Sequence, residues 1–230
     1  MFFSLVSLGA AAQGGQGSRQ SIKGHDLDKF SAVSLSGRLN VEIIPSGKDS
    51  ISITLYDTEL DKLKWNVSKD VLSVTLKPLP AGKGGADVKI YLAQPPLTLI
   101  SAGADVLIRE KMKSLTCAMT ISNGAKLTAA IDCTDFELSI SGASIAAITG
   151  AAKYCTITAW ESSKVDCRAL ESVSASVEAS TGAEVFIWAS ERAVLAAKTG
   201  ATIFYRGNPA VLKQSISKVG LGASINNIGK

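Results

Sequence analysis

The sequence predicts an all-β chain wound as a single-stranded parallel β-helix, a solenoid of about 20 residues per rung preceded by irregular N-terminal strands. Three observations carry this. A glycine recurs at Gly103, Gly124, Gly142, Gly182, Gly200 and Gly222, with Ser162-Ser163-Lys164 in the one missing slot, at steps of 21, 18, 20, 20, 18 and 22 residues. Fixed columns follow it: a small residue (Ala104, Ala125, Ala143, Ser163, Ala183, Ala201, Ala223), then a polar one, then an aliphatic one (Val106, Leu127, Ile145, Val165, Val185, Ile203, Ile225). Short alternating runs precede it: Cys117, Met119 and Ile121; Phe136, Leu138 and Ile140; Cys155 and Ile157; Val177; Leu195. Polar-aliphatic alternation with β-branched residues inside is a strand with one buried face. The glycine supplies the positive φ that turns the chain into that strand. Rungs ~4.8 Å apart give seven copies a length of roughly 34 Å. An antiparallel sandwich with coincidental Gly-Ala turns has no reason to keep three adjacent columns in register.

Taken in order, residues 1–12 form an apolar run ending in Gly9-Ala10-Ala11-Ala12, the pattern of a secretory signal cut near Gln13, although the basic n-region is missing. Residues 13–27, rich in Gly, Ser and Gln, are expected to be a flexible linker. One domain spans 28–230. Within it, 28–96 hold N-terminal strands without the Gly-Ala register: Phe30 to Leu35, Leu39 to Ile44, Ser50 to Leu55, and two strands across a Lys69-Asp70 turn. These are expected to build the first coils and cover one end of the rod. The loop from Pro78 to Gly85 leads to the strand Asp87 to Leu92, and the regular rungs occupy 97–230. The segment Tyr205-Arg206-Gly207-Asn208-Pro209 breaks the pattern before a last polar rung.

Composition excludes several function classes. The formal charge is only +4, with no basic block interleaved with aromatics, so nucleic acid is not an expected partner. Apolar runs are strand-sized, so no helix is expected to span a membrane. His25 is the single histidine. It rules against a Ser-His-Asp triad, and with no CxxC spacing the four cysteines do not read as a metal site. Cys117, Cys133, Cys155 and Cys167 are either small hydrophobes stacked in the core or disulfide partners in an oxidising compartment. No cofactor is implied.

The segments Phe30 to Leu55, Asp70 to Leu76, Leu97 to Val106, the Ser-Gly-Ala-Ser turns and the closing Tyr205 to Pro209 together resemble the head GIN domain family, auto-transporter adhesins common in Bacteroidetes. The resemblance covers about residues 28–229. It implies a right-handed β-helix exported to the periplasm, the outer surface or the medium. It supplies no catalytic residues.

Two surface features could carry function. If the aliphatic column points inward, the next residue points outward: Leu107, Thr128, Ala146, Asp166, Phe186, Phe204 and Asn226. Trp188 shares that parity, so Phe186, Trp188 and Phe204 with Arg206 make a candidate patch, an interface or a platform for stacking sugars. The other feature is a set of acids, Asp132, Asp135 and Asp166, with Glu171 and Arg168. These are what a pectinase-like lyase or hydrolase would need on one wall. The expectation is an exported, non-catalytic binding or adhesion module whose partner is a glycan or a cell-surface protein. A polysaccharide lyase or hydrolase is the first alternative and a self-associating structural envelope protein, a homo-oligomer, the second.

Overall fold

The computed structural model describes residues 19–80, 84–96, 98–217 and 222–229. Residues 1–12, expected as a secretory signal, and 13–18 of the expected linker lie outside them. The described residues form one sheet of 16 strands and a single 3-10 turn, Leu60–Lys62. The regular part is a parallel β-solenoid of about six turns of about 20 residues.

The solenoid is built from β8 (Thr98–Ala102), β9 (Asp105–Ser122), β10 (Lys126–Ile140), β11 (Ile145–Ala159), β12 (Lys164–Ala179), β13 (Glu184–Ala197), β14 (Thr202–Arg206), β15 (Val211–Ile216) and β16 (Ser224–Asn227). Each of β9 to β13 bends, so one strand serves two walls. On the wall after the corner the inward column is Val106, Leu127, Ala146, Val165, Val185 and Ile203, all buried, and the half-buried Ile225, in direct register. On the wall before it, Met119, Leu138, Ile157, Val177 and Leu195 stack the same way. Inward alternation along every strand leaves one continuous apolar core.

The corner differs from the sequence expectation in one rung. Two successive residues take left-handed φ: Asn123 and Gly124, Gly142 and Ala143, Glu161 and Ser162, Thr181 and Gly182, Thr199 and Gly200. Gly142 therefore stacks on Asn123, and Ala143 (φ 56°) occupies the slot that Gly124 and Gly182 fill elsewhere. The slip moves Ser144 into the buried small corner, Ala146 into the core and Ile145 out to solvent at 44% exposure. The polar corner survives because its peptides bond between rungs. The N–H of Gly124 donates to Gly142 O (2.8 Å), Ala143 to Glu161 O (2.8 Å), Ser162 to Thr181 O (2.9 Å) and Gly182 to Thr199 O (3.0 Å).

The N-terminal third holds more of the solenoid than its sequence showed. Strands β2 (Ala32–Ser36) and β3 (Leu39–Pro45) flank Gly37 (φ 94°), whose N–H donates to Ala102 O at 3.0 Å. Ser36 pairs with Ala102 and Val41 with Val106, which makes this a rung in register. The intervening strands extend both walls rather than lying across the end. Below β3 run β7 (Gly85–Leu92), then β4 (Ser50–Tyr56), then β1 (Arg19–Asp26). Below β2 run β6 (Val71–Leu76) and β5 (Leu63–Ser68), joined by the left-handed pair Lys69-Asp70. Residues 19–26 of the expected linker are thus an edge strand. His25 meets Trp65 edge to face at 6.2 Å, linking the outermost strands of the two walls.

A left-handed backbone costs an L-residue about 1–2 kcal/mol relative to glycine. Ala143→Gly is therefore expected to raise unfolding free energy by about 1 kcal/mol and Gly124→Ala to lower it by a similar amount. At Gly150 (φ 112°) a Cβ would stand 1.9 Å from Ile131 O, so Gly150→Ala is expected to be the most damaging of the three. Urea denaturation of the three variants checks the order.

Candidate functional site

Outward residues of the wall after the corner stack as Leu107, Thr128, Ala147, Asp166, Phe186, Phe204 and Asn226. Ala147 stands where Ala146 was expected, a consequence of the slipped rung. The aromatic patch forms, but along the rod. The rings of Phe186 and Phe204 are 4.5 Å apart and 11° from parallel, and the Arg168 guanidinium lies 4.7 Å from the Phe186 centroid. Arg168 comes from the rung on the other side of Phe186 from Phe204, so both faces of Phe186 are engaged. In the next outward column Glu171, Trp188 and Arg206 are in register, with the Arg206 guanidinium 4.3 Å from the Trp188 ring. Cation–π stacking holds both arginines flat. Arg206 covers one face of the Trp188 ring.

The two arginines differ electrostatically. Arg168 donates to Asp166 through Nε (2.9 Å) and Nη2 (2.5 Å). These bonds hold the Asp166 carboxyl below its usual range. Arg206 has no ion pair among the described residues, and its buried Nε lacks a hydrogen-bond partner there. The next residue, Gly207, lies against the adjacent rung: a Cβ there would fall 2.2 Å from Ala189 O and 3.2 Å from Trp188 Cδ1.

Beside Trp188 lies a groove of about 350 Å³ lined by Asp132, Lys153, Glu171, Ser172 and Ser190. Asp132, Ala151 and Glu171 are register partners on successive rungs. Ser172 sits buried at its floor and donates to the Trp188 carbonyl. The three acids singled out in the sequence do not converge: Asp132 faces this groove, Asp135 is exposed beyond Cys133, and Asp166 belongs to the aromatic wall. Sequence reasoning missed the pairing of Glu171 with Trp188. Between Asp166↔Phe186 and Glu171↔Trp188 the register jumps, because β12 carries extra residues through the bend. That bulge also swings Arg168 over Phe186, and no periodicity reveals it.

All four cysteines are buried free thiols. Burial pushes Cys117 and Cys155 up to about 12 and Cys133 to about 11, with neighbouring Asp132 and Asp135 adding to the latter. Cys167 is also raised. Thiols so disfavoured as thiolates are weak nucleophiles and weak metal ligands. No cluster of three metal-ligating side chains occurs among the described residues, nor does any helix there have the length and apolarity to cross a membrane.

Residues 29–209 match the family model described as "Putative auto-transporter adhesin, head GIN domain". The chain belongs to this family. Solved structures agree on the fold. A Bacteroides fragilis protein described as a "putative adhesin" has a TM-score of 0.83 at 16% identity, covering 94% of this chain and 100% of its own. A Parabacteroides merdae protein with the same description has a TM-score of 0.69 at 16% identity, covering 93% and 97%. A Parabacteroides distasonis protein described as a "putative lipid binding protein" has a TM-score of 0.66 at 15% identity, covering 93% and 97%. Among curated proteins none matches the sequence.

The raised thiols set a sign for alkaline stability. The native state keeps protons that the unfolded chain releases above about pH 9, so unfolding is favoured as pH climbs from 9 through 11 to 12. The urea midpoint is expected to fall between pH 8.5 and 10.5, and to fall less in Cys155→Ala. Ellman's reagent is expected to find four thiols only after denaturation.

Proposed function

We propose that this GIN-domain chain is an exported, non-catalytic binding protein of the cell envelope that holds its partner, a glycan or a cell-surface protein, against the wall of β12, β13 and β14. The observation that carries this is the pair of stacks Arg168–Phe186–Phe204 and Trp188–Arg206. Aromatic and arginine side chains already fixed by their neighbours lose little conformational freedom on binding, which is what makes such residues effective anchors. The family description and the adhesin descriptions of its structural neighbours support the same reading and support export. A pectinase-type reaction is less favoured, since Asp166 is tied to Arg168 below its usual range and is a poor proton donor.

Self-association has one observation in its favour. Strand β15 has one sheet neighbour among the described residues, β13, and its Val211, Leu212 and Ile216 are 40–43% exposed. An unpaired apolar edge is a ready template for another strand. Sedimentation equilibrium of the native chain and of Leu212→Asp separates that reading from the wall.

For the wall itself, purified protein is applied to immobilised envelope fractions while the eluate is assayed for reducing ends and unsaturated uronides. Saturable retention without product, weakened about tenfold by Phe186→Ala combined with Arg206→Ala, is the expected result. Product release abolished by Asp132→Asn would replace the binding reading with the enzyme.

A further inference from the structure

The groove beside Trp188 exists because one rung lacks a large side chain there. Rung β11 contributes only the methyl of Ala151 where its neighbours contribute Asp132 on one side and Glu171 on the other. Ala151 makes the opening, since it stands in the outward column between Asp132 and Glu171, whereas Gly150 pairs with the buried Ile131 and Leu170. We propose that this notch binds a neutral, hydroxyl-rich sugar unit of a glycan. The proposal rests on the chain being a binding protein and adds which chemistry one part of its surface selects.

Four features support that ligand class. Asp132 and Glu171 stand two rung spacings apart, ~9.6 Å along the rod, with open space between them. That span suits one hexose ring with hydroxyls donating to a carboxylate at each end. Lys153 and Ser190 supply donors on the groove side, so hydroxyls that accept find partners as well. Trp188 borders the notch and gives the apolar edge that sugar C–H groups pack against. Charge is balanced along the row Lys113, Asp132, Ala151, Glu171, Trp188, Arg206, with a cation at each end of the acids. A strongly anionic polymer would meet both carboxylates, and a cationic one Lys153. Among the described residues no group of three metal-ligating side chains includes those carboxylates.

The test uses the full chain in affinity electrophoresis through gels carrying soluble β-1,3-glucan, β-1,4-glucan, mannan or polygalacturonate. Variants are Ala151→Tyr, which fills the notch, Glu171→Ala, and Ala151→Ser as a small-for-small control. Melting curves verify that each folds. The expected outcome is retardation by at least one neutral glycan, weakened tenfold or more by Ala151→Tyr and by Glu171→Ala, and changed less than twofold by Ala151→Ser. Retardation indifferent to Ala151→Tyr, retardation by polygalacturonate alone, or depolymerisation of any glycan would overturn the proposal. So would an absence of retardation in every gel. If Phe186→Ala still weakened envelope retention in that last case, the wall reading would stand without the notch.

Discussion

Everything in this protein depends on stacking identical backbone registers at the strand spacing of about 4.8 Å. The ladder continues through the corners only because the two-residue left-handed turn hands one N–H per rung to the next carbonyl, as from Gly182 to Thr199. Break that handover and the polar corner peptides would be left without partners beside a dry core. The small residue behind each turn, Ala125, Ser144, Ser163, Ala183 or Ala201, is the price of bringing the two walls together there, and each is fully buried.

The same stacking decides what the surface can offer. Outward residues one rung apart lie as close as ring-stacking distance, so aromatics at equivalent positions pack on one another and present edges. Phe186 and Phe204 do this, and arginines from flanking rungs complete the columns. A platform for sugars needs an uncovered face, which a uniform column does not leave. A notch does leave space, because removing one side chain from a column exposes the neighbours above and below. On a solenoid wall, a concave site is therefore made by a small residue among large ones.

Much of the fold was legible because periodicity survives in sequence: the corner, the inward columns and the outward placement of Phe186, Trp188 and Phe204 all follow from counting. Counting failed where the number of residues per rung changes. Gly142 reads as the corner glycine, yet it sits one place early, and Ala143 accepts the left-handed slot because the ladder on both sides holds it there. Gly37 was overlooked because the chain leaves the solenoid for more than fifty residues before Gly103 stacks on the same corner. In β12 the bulge between Asp166 and Glu171 hides which residue neighbours Trp188. The groove was illegible for the same reason: it is defined by lateral neighbours on three rungs, and bends of unequal length separate those neighbours in sequence.

This architecture divides labour between backbone and side chain more sharply than a globular active site does. Ladder hydrogen bonds and the inward columns fix position, and neither involves the outward residues. A substitution at Ala151 or Phe186 can change what the wall recognises while leaving register untouched. A substitution at Gly150 or Gly207 cannot, because there the glycine makes room for the carbonyl of the adjacent rung. Binding chemistry is thus free to vary rung by rung within positions that the corners have already set. Catalysis asks for more, since it needs several groups brought within about 3 Å of one reacting atom. Outward side chains on adjacent rungs run side by side, as Phe186 and Phe204 do, and Asp166 lies against Arg168 while Glu171 pairs in register with Trp188.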